Sequence, residues 1–155
     1  MPPAPVAFAA VSESGYAGDL QPLEAFALLK SNPKAHLVDV RSSAEWSFVG
    51  LTDLAELGRQ PLLVEWQAFP GMALNARFVE QADAALKDVG AGANDPVLFL
   101  CRSGARSRAA AIAMTKAGFH ACYNIVDGFE GALDNARHRG LTGGWKASGL
   151  PWVQS

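Results

Sequence analysis

Cys101 opens a short segment that contains two arginines and a glycine: Cys101-Arg102-Ser103-Gly104-Ala105-Arg106-Ser107. A cysteine reacts as its thiolate, and nearby cations favour that form. Successive backbone N–H groups in a tight loop bind anions, and a glycine supplies the left-handed conformation that such a loop requires. The segment therefore predicts that Cys101 is a nucleophile and that residues 102–107 bind an anionic substrate.

The charge pattern around Cys101 supports this interpretation. No Asp or Glu occurs between Pro96 and Val126, although the whole chain has a net charge of −2. The same stretch contains four cations: Arg102, Arg106, Arg108 and Lys116. A local excess of positive charge attracts anions, so the stretch predicts a positive pole around the cysteine.

Cys122, the other of the two cysteines, lacks these neighbours. It precedes an apolar run, and most such cysteines are small buried side chains. We therefore expect a structural thiol, and a role as a resolving thiol stays open if Cys122 lies close to Cys101. Two cysteines also exclude a disulfide-rich scaffold.

The elements on either side of Cys101 place it at a strand-to-helix junction. Val97–Leu100 is an uninterrupted apolar run, which is typical of a strand covered on both faces. An Ala-rich segment from Ser107 to Ala117 predicts a helix that Ser107 caps. A helix N-terminus carries a partial positive charge, which again favours a thiolate at Cys101.

The remaining pattern alternates strands and helices. It predicts helices over Pro22–Lys30 and Asn75–Val89, a brief helix from Ser42 or Ser43, and strands over His36–Val40, Leu62–Trp66 and Tyr123–Val126. This rhythm is typical of an α/β fold with a mostly parallel sheet. In such folds the functional loops lie at the carboxyl ends of the strands, as Cys101 would.

Composition limits the other possibilities. A chain of 155 residues with 50% hydrophobic and 18% charged residues suits one soluble globular domain and excludes intrinsic disorder. We divide it into an N-terminal arm, residues 1–18, and one domain, residues 19–155. The acidic balance gives no sign of nucleic-acid binding, no apolar run approaches the ~18 residues of a membrane span, and we expect a cytoplasmic location.

At this point the residues resemble the rhodanese (sulfurtransferase) family. Residues 101–106 resemble its active loop, Cys-Arg-x-Gly-x-Arg, and Asp39-Val40-Arg41 followed by Glu45-Trp46 resembles its Asp-x-Arg…Glu-aromatic signature. Gly143-Gly144-Trp145 and Gly149-Leu150-Pro151 resemble its C-terminal motif in altered form. The resemblance implies a rhodanese-like three-layer fold, with a central sheet of about five strands and helices on both faces.

The resemblance also implies a reaction. Cys101 would take sulfane sulfur from thiosulfate or a similar anionic donor, hold it as a covalent persulfide, and pass it to a thiol, cyanide or a protein acceptor. No metal or other cofactor is implied. Arg102 and Arg106 would hold the sulfonate end of the donor, Ser103 could donate its hydroxyl, and the backbone N–H groups from Arg102 to Ser107, through Gly104 and Ala105, would surround the transferred sulfur.

The resemblance assigns a structural role to Asp39, Arg41 and Glu45, which would support the loop through ion pairs and hydrogen bonds. The chain departs from many relatives after the Glu-aromatic pair, where residues 51–76 are longer, and again where residues 132–142 enlarge a second interval. We expect both segments to form the rim of the pocket.

Two rival functions stay open. A cysteine phosphatase has a similar loop but needs one more residue between Cys and Arg than the four present here, and the same spacing disfavours an arsenate reductase. The other rival is a non-catalytic rhodanese-like module that carries sulfur or regulates a partner.

Overall fold

The computed structural model of the chain describes residues 15–68, 71 and 73–154. Its strands are β1 (Gly18–Leu20), β2 (His36–Asp39), β3 (Leu51–Thr52), β4 (Leu62–Leu63), β5 (Gln67–Ala68), β6 (Ala73–Leu74), β7 (Val97–Leu100), β8 (Cys122–Ile125) and β9 (Trp152–Val153). Five of them form a central parallel sheet in the order β1-β8-β7-β2-β4. The predicted α/β class and parallel sheet are therefore confirmed.

The helices are α1 (Pro22–Ser31), α2 (Ser43–Phe48), α3 (Phe78–Asp88), α4 (Ala105–Lys116) and α5 (Gly144–Ala147), with a 3₁₀ turn at Ala55–Leu57. Helices α3 and α4 cover one face of the sheet, where Phe78, Leu86 and Met114 pack against Val38 and Phe99. Helices α1 and α5 cover the other face, where the core side chains include Leu29, Leu37, Leu98, Ile125 and Trp145. The molecule thus has three layers, as predicted.

The central strands alternate their side chains between these two cores. In β7, Val97 and Phe99 belong to the α3–α4 side, whereas Leu98 and Leu100 belong to the α1–α5 side. All four are fully buried, which explains why the sequence shows an unbroken apolar run instead of a polar alternation. Burial on both faces fixes the register of β7 and therefore the position of Cys101, the residue that follows it.

Several element bounds differ from the sequence-based predictions. The strand expected over Leu62–Trp66 is shorter in the structure: β4 comprises Leu62 and Leu63, which pair in register with Val38 and Asp39 at the end of β2. Two small antiparallel pairs, β3 with β9 and β5 with β6, were not predicted, nor was the edge strand β1. The first fourteen residues of the expected N-terminal arm lie outside the described residues, and Gly18, its last residue, already lies in β1. No helix in the described ranges is long and apolar enough to cross a membrane.

Candidate active site

The loop from Cys101 to Gly104 joins the carboxyl end of β7 to the start of α4, as predicted. Cys101 is 1% exposed, and Gly104 takes the left-handed conformation expected of it, with φ +115°. Helix α4 begins at Ala105, with Gly104 as its N-cap, and not at Ser107. The predicted capping role of Ser107 is therefore wrong, because the helix starts two residues earlier and Ser107 is buried in its first turn.

Among the described residues, two place a polar group against the sulfur of Cys101. The backbone N–H of Gly104 donates to Sγ at 3.1 Å, and the hydroxyl of Ser107 lies 3.2 Å from the same sulfur. A backbone N–H donor stabilises negative charge on sulfur without moving, because the loop already holds it in place. The side chain of Ser107 thus contacts the sulfur of Cys101 directly, a contact that the sequence did not predict.

The carbonyl groups of the loop face the turn that follows β8. The carbonyl oxygen of Cys101 accepts from the N–H of Phe129 at 2.8 Å, and that of Arg102 accepts from Glu130 and Gly131 at 3.0 and 3.1 Å. This close approach requires Gly128, which has φ +56°, because a Cβ there would collide with the Cys101 carbonyl oxygen. These backbone hydrogen bonds fix the position of the loop on the turn that follows β8.

Glu45 binds the guanidinium of Arg106 across the site. Nη1 and Nη2 of Arg106 donate to the two carboxylate oxygens at 2.7 and 3.0 Å, and the side chains are only 15% and 18% exposed. Burial favours protonated Glu45, but hydrogen bonds from Arg106 and Ser42 outweigh it and hold the pKa of Glu45 below its usual range. Burial likewise opposes the charge on Arg106, yet Glu45 raises the pKa of Arg106 overall.

Asp39 and Arg41 form a second ion pair behind the loop. Both side chains are fully buried, and Arg41 donates from Nε and Nη2 to the carboxylate at 2.6 to 3.1 Å. Nη2 of Arg41 also donates to the carbonyl of Gly50 at 2.8 Å, and the guanidinium lies 4.3 Å from the ring centre of Phe129. The pair therefore fastens the end of β2 to the segment after α2 and to the turn behind the loop.

A cavity of about 270 Å³ opens above the sulfur; its lining consists of Glu45, Gln67, Cys101, Arg102, Ser103, Ala105 and Arg106. Since water occupies about 30 Å³ per molecule in the liquid, the cavity has room for a small anion. Six of the lining residues were named from the sequence, and the fold brings them together. Gln67, from β5, was not anticipated.

The two enlarged segments differ in their relation to this cavity. Residues 51–76 supply Gln67, as the rim prediction requires, while Trp66 packs edge-on against Phe78 at 5.0 Å between ring centres. None of the described cavity-lining residues comes from 132–142, and His138 is exposed in that segment. Ser103 and Arg102 are exposed at the cavity mouth, whereas Arg106 is partly covered by its pairing with Glu45.

Cys122 lies far from this cavity. It pairs in register with Val97, at the opposite end of β7 from Cys101, which is four residues further along. At about 3.3 Å per residue this separation is about 13 Å, too far for a disulfide. Burial raises the pKa of the Cys122 thiol to about 12, and the thiol donates to the carbonyl of Phe119. These contacts support a structural thiol.

Asn124 is the other site residue that the sequence-based analysis missed. It is 4% exposed in the middle of β8, and its Oδ1 lies 2.6 Å from the Ser107 hydroxyl. An asparagine within the apolar run Tyr123–Val126 was an available signal, because a buried polar group in a central strand requires a specific partner. Within the described ranges, no group of three or more His, Cys, Asp and Glu residues could hold a metal ion.

Comparison with known proteins identifies the family. The family model described as STR4 middle domain matches residues 19–155, from β1 to the end of the chain. The chain belongs to the STR4 middle domain family. A relative of this STR4-family chain, described as an uncharacterized protein RP600 homolog from Rickettsia rickettsii, is 40% identical over 129 residues, covering 83% of this chain and 91% of that protein.

Solved structures support the fold of this STR4 middle domain. The crystal structure of Rv0390 from M. tuberculosis is 50% identical and superposes with a TM-score of 0.80, covering 90% of this chain and 99% of that one. The solution structure of the polysulfide-sulfur transferase homodimer from Wolinella succinogenes is 23% identical, with a TM-score of 0.53 over 88% of this chain and 77% of that one. At that identity the second likeness shows the fold alone.

Proposed function

We propose that this STR4-family chain is a rhodanese-type sulfurtransferase that carries sulfane sulfur as a persulfide on Cys101. The observation that carries the proposal is the position of the Cys101 sulfur at the base of a small cavity, where the Gly104 N–H donates to it and Arg102 and Arg106 line the wall. Small anions with a reactive sulfur, such as thiosulfate, fit both the charge and the size of this cavity.

The first half-reaction transfers one sulfur atom to the enzyme. The Cys101 thiolate attacks the outer sulfur of thiosulfate, a new S–S bond forms, and sulfite leaves with the electron pair of the broken bond. Arg106 has five N–H donors, of which Glu45 accepts from two, so three stay available for the sulfonate oxygens. Arg102, at the exposed mouth, supplies a second guanidinium for the same group.

The second half-reaction returns Cys101 to its starting form. A thiol, cyanide or a protein acceptor attacks the outer sulfur of the persulfide, and the Cys101 thiolate leaves. The Gly104 N–H stabilises the negative charge that returns to Sγ in this step. Both steps are displacements at sulfur, so the chain's own residues can perform them.

The spacing of the loop favours sulfur over phosphate. Helix α4 begins at Ala105, so Arg106 lies in its first turn and is held there by Glu45. Ser107 occupies the position at which a phosphatase loop has its arginine, and here it is fully buried against Cys101. A tetrahedral phosphate therefore lacks the guanidinium that such enzymes place opposite the cysteine.

Intact mass spectrometry tests the proposal. We expect incubation with thiosulfate to add one sulfur atom to the wild-type chain and to Cys122→Ser, and none to Cys101→Ser. Cyanide should then remove the added sulfur and yield thiocyanate. Absence of any gain with thiosulfate, polysulfide or mercaptopyruvate, together with hydrolysis of a phosphate ester, would overturn the proposal in favour of a phosphatase. Absence of both activities in a folded chain would favour the non-catalytic module.

A further inference from the structure

A line of hydrogen bonds leads from the Cys101 sulfur to the surface of the molecule. Sγ contacts the Ser107 hydroxyl at 3.2 Å, that hydroxyl contacts Oδ1 of Asn124 at 2.6 Å, and Nδ2 of Asn124 donates to Asp19 at 3.2 Å. Cys101, Ser107 and Asn124 are buried, whereas Asp19 is exposed on the edge strand β1. The line therefore ties the nucleophile to a carboxylate in solvent.

The chemistry of these groups fixes which atom donates at each step. An ionised carboxylate only accepts, so Asp19 turns the NH₂ group of Asn124 toward itself and leaves the amide oxygen facing Ser107. That oxygen also only accepts, so the single hydroxyl hydrogen of Ser107 is donated to Asn124. Ser107 then has only lone pairs to offer the sulfur, and Cys101 must donate its own S–H.

We propose that Asn124, oriented by Asp19, is a positioning residue that withholds the Ser107 hydrogen from the Cys101 sulfur and so favours the resting thiol over the thiolate. This inference rests on the proposed role of Cys101 as the sulfur carrier. When the thiol loses its proton to solvent, the thiolate needs a hydrogen-bond donor. Ser107 has one hydroxyl hydrogen, so if it donates that hydrogen to the sulfur, Oδ1 of Asn124 loses its donor. Leaving a buried acceptor unsatisfied costs free energy, so Asn124 opposes the ionisation that the Gly104 N–H supports.

Two other carbonyl and hydroxyl groups near this line do not change the assignment. The carbonyl of Gly104, which also accepts from the N–H of Arg108 at 3.2 Å, lies 3.2 Å from the Ser107 hydroxyl and is therefore a weaker acceptor for it than Oδ1 of Asn124 at 2.6 Å. The Tyr16 hydroxyl donates to the same Asp19 oxygen at 2.7 Å, which further commits that carboxylate to accepting. The contact with Asn124 is the shortest that the Ser107 hydroxyl makes.

The charges around Cys101 must stay constant in any test of this inference. Charged side chains line the cavity, form the ion pair at the end of β2 and end the hydrogen-bond line at β1; they are Glu45, Arg102, Arg106, Asp39, Arg41 and Asp19. Asn124→Leu changes none of them. It removes the acceptor for the Ser107 hydrogen and keeps a side chain of similar size.

The experiment measures the rate of alkylation of Cys101 by iodoacetamide as a function of pH, in a Cys122→Ser background so that one thiol is counted. We expect the midpoint of the profile to fall in Asn124→Leu, because the freed Ser107 hydrogen now stabilises the thiolate. A fall of one pH unit corresponds to about a tenfold larger fraction of thiolate at pH values below the midpoint, and to a smaller gain in alkylation rate, because the nucleophilicity of a thiolate falls with its pKa. In a Ser107→Ala background the same Asn124→Leu change should leave the midpoint unmoved.

An unchanged or higher midpoint in a folded Asn124→Leu chain overturns the proposal, and so does an equal shift in the Ser107→Ala background. If Asn124→Leu does not fold, the surface variant Asp19→Asn takes its place in the experiment. The new amide can donate as well as accept, so the Asn124 amide is free to rotate and its oxygen need no longer face Ser107. The direct charge effect of this substitution is screened in about 1 M salt, so a lower midpoint that persists there supports the proposal, whereas a shift lost in salt contradicts it. Alkylation needs no sulfur donor, so this result is independent of whether the mass assay detects a persulfide.

Discussion

Arg41→Met is the substitution whose cost the structure defines best. The guanidinium is fully buried, it binds Asp39 through two nitrogens, and it also holds the carbonyl of Gly50. Methionine keeps most of the length of the side chain and its packing near Phe129, but it leaves the Asp39 carboxylate buried without a charged partner. The backbone N–H of residue 41, at 3.1 Å, would be the main donor left to that carboxylate.

The expected destabilisation is large for a chain of this size. Removing one partner of a buried ion pair costs about 3–5 kcal/mol, against a total of about 5–15 kcal/mol for a typical domain. At about 2–4 °C for each kcal/mol, the melting temperature should fall by about 6–20 °C. Gly50 is also released, and because the Glu45 segment lies between Arg41 and Gly50, we expect persulfide formation to slow as well.

Urea denaturation followed by circular dichroism measures this cost, with two comparisons. The double variant Asp39→Leu/Arg41→Met removes both charges, so it should be more stable than Arg41→Met alone. Lys87→Met breaks an exposed pair with Asp83, in which the side chains are 69% and 35% exposed, and should change the free energy of unfolding by no more than about 0.5 kcal/mol. The reasoning is refuted if Arg41→Met costs less than about 1 kcal/mol, or if the double variant is no more stable than it.

Three further changes test other parts of the site. Cys122→Ser should cost about 1 kcal/mol in urea denaturation and leave the rate of persulfide formation unchanged, and a large loss of transfer in a folded variant would contradict its structural role. Gly128→Ala should slow persulfide formation at least tenfold, because its Cβ displaces the Cys101 carbonyl; a normal rate would show that the loop tolerates the shift. Because its folded-state pKa is lowered, Glu45 stabilises the fold above about pH 4.3, and that stability is lost as the pH falls through the folded-state pKa. Denaturation between pH 3 and 7 should therefore show a smaller pH dependence for Glu45→Gln than for wild type, and equal slopes would contradict the ion pair.

The parts of the fold that sequence predicted well are those in which local pattern and burial agree. The apolar run of β7 and the end of α4 at Lys116, one residue before the predicted Ala117, are visible in the sequence because each is determined within a few residues. Strand β1 is not visible, since Gly18 and Asp19 are poor strand formers and the strand exists only because β8 offers it a parallel edge. The short pair β3 with β9 joins residues about one hundred positions apart, which local periodicity does not report.

The candidate site divides in the same way. Cys101 and Gly104 could be assigned from spacing, because a strand end, a glycine and a helix start impose one loop geometry. The contacts of Ser107 could not, because a shift of two residues in the start of α4 moved that hydroxyl from a cap to the sulfur. Asn124 and Gln67 come from other elements and reach the site only through the packing of the sheet.

The cavity is less positive than the sequence around Cys101 suggests, because the fold adds an acidic side chain from another element. No acid occurs between Pro96 and Val126, yet the fold brings Glu45 against Arg106 from a position 61 residues away. This pairing offsets one of the two cations of the loop and leaves Arg102 at the mouth. On the proposed function, an anionic donor would therefore be held by Arg102, by the N–H groups of Arg106 that Glu45 does not use, and by backbone N–H groups, of which the Gly104 donor lies 3.1 Å from the sulfur. If the chain transfers sulfur as proposed, such dipoles would stabilise the charge on the transferred sulfur, and the Glu45 pairing would weaken the attraction of other anions, so we expect a preference for donors whose reactive atom reaches the base of the loop.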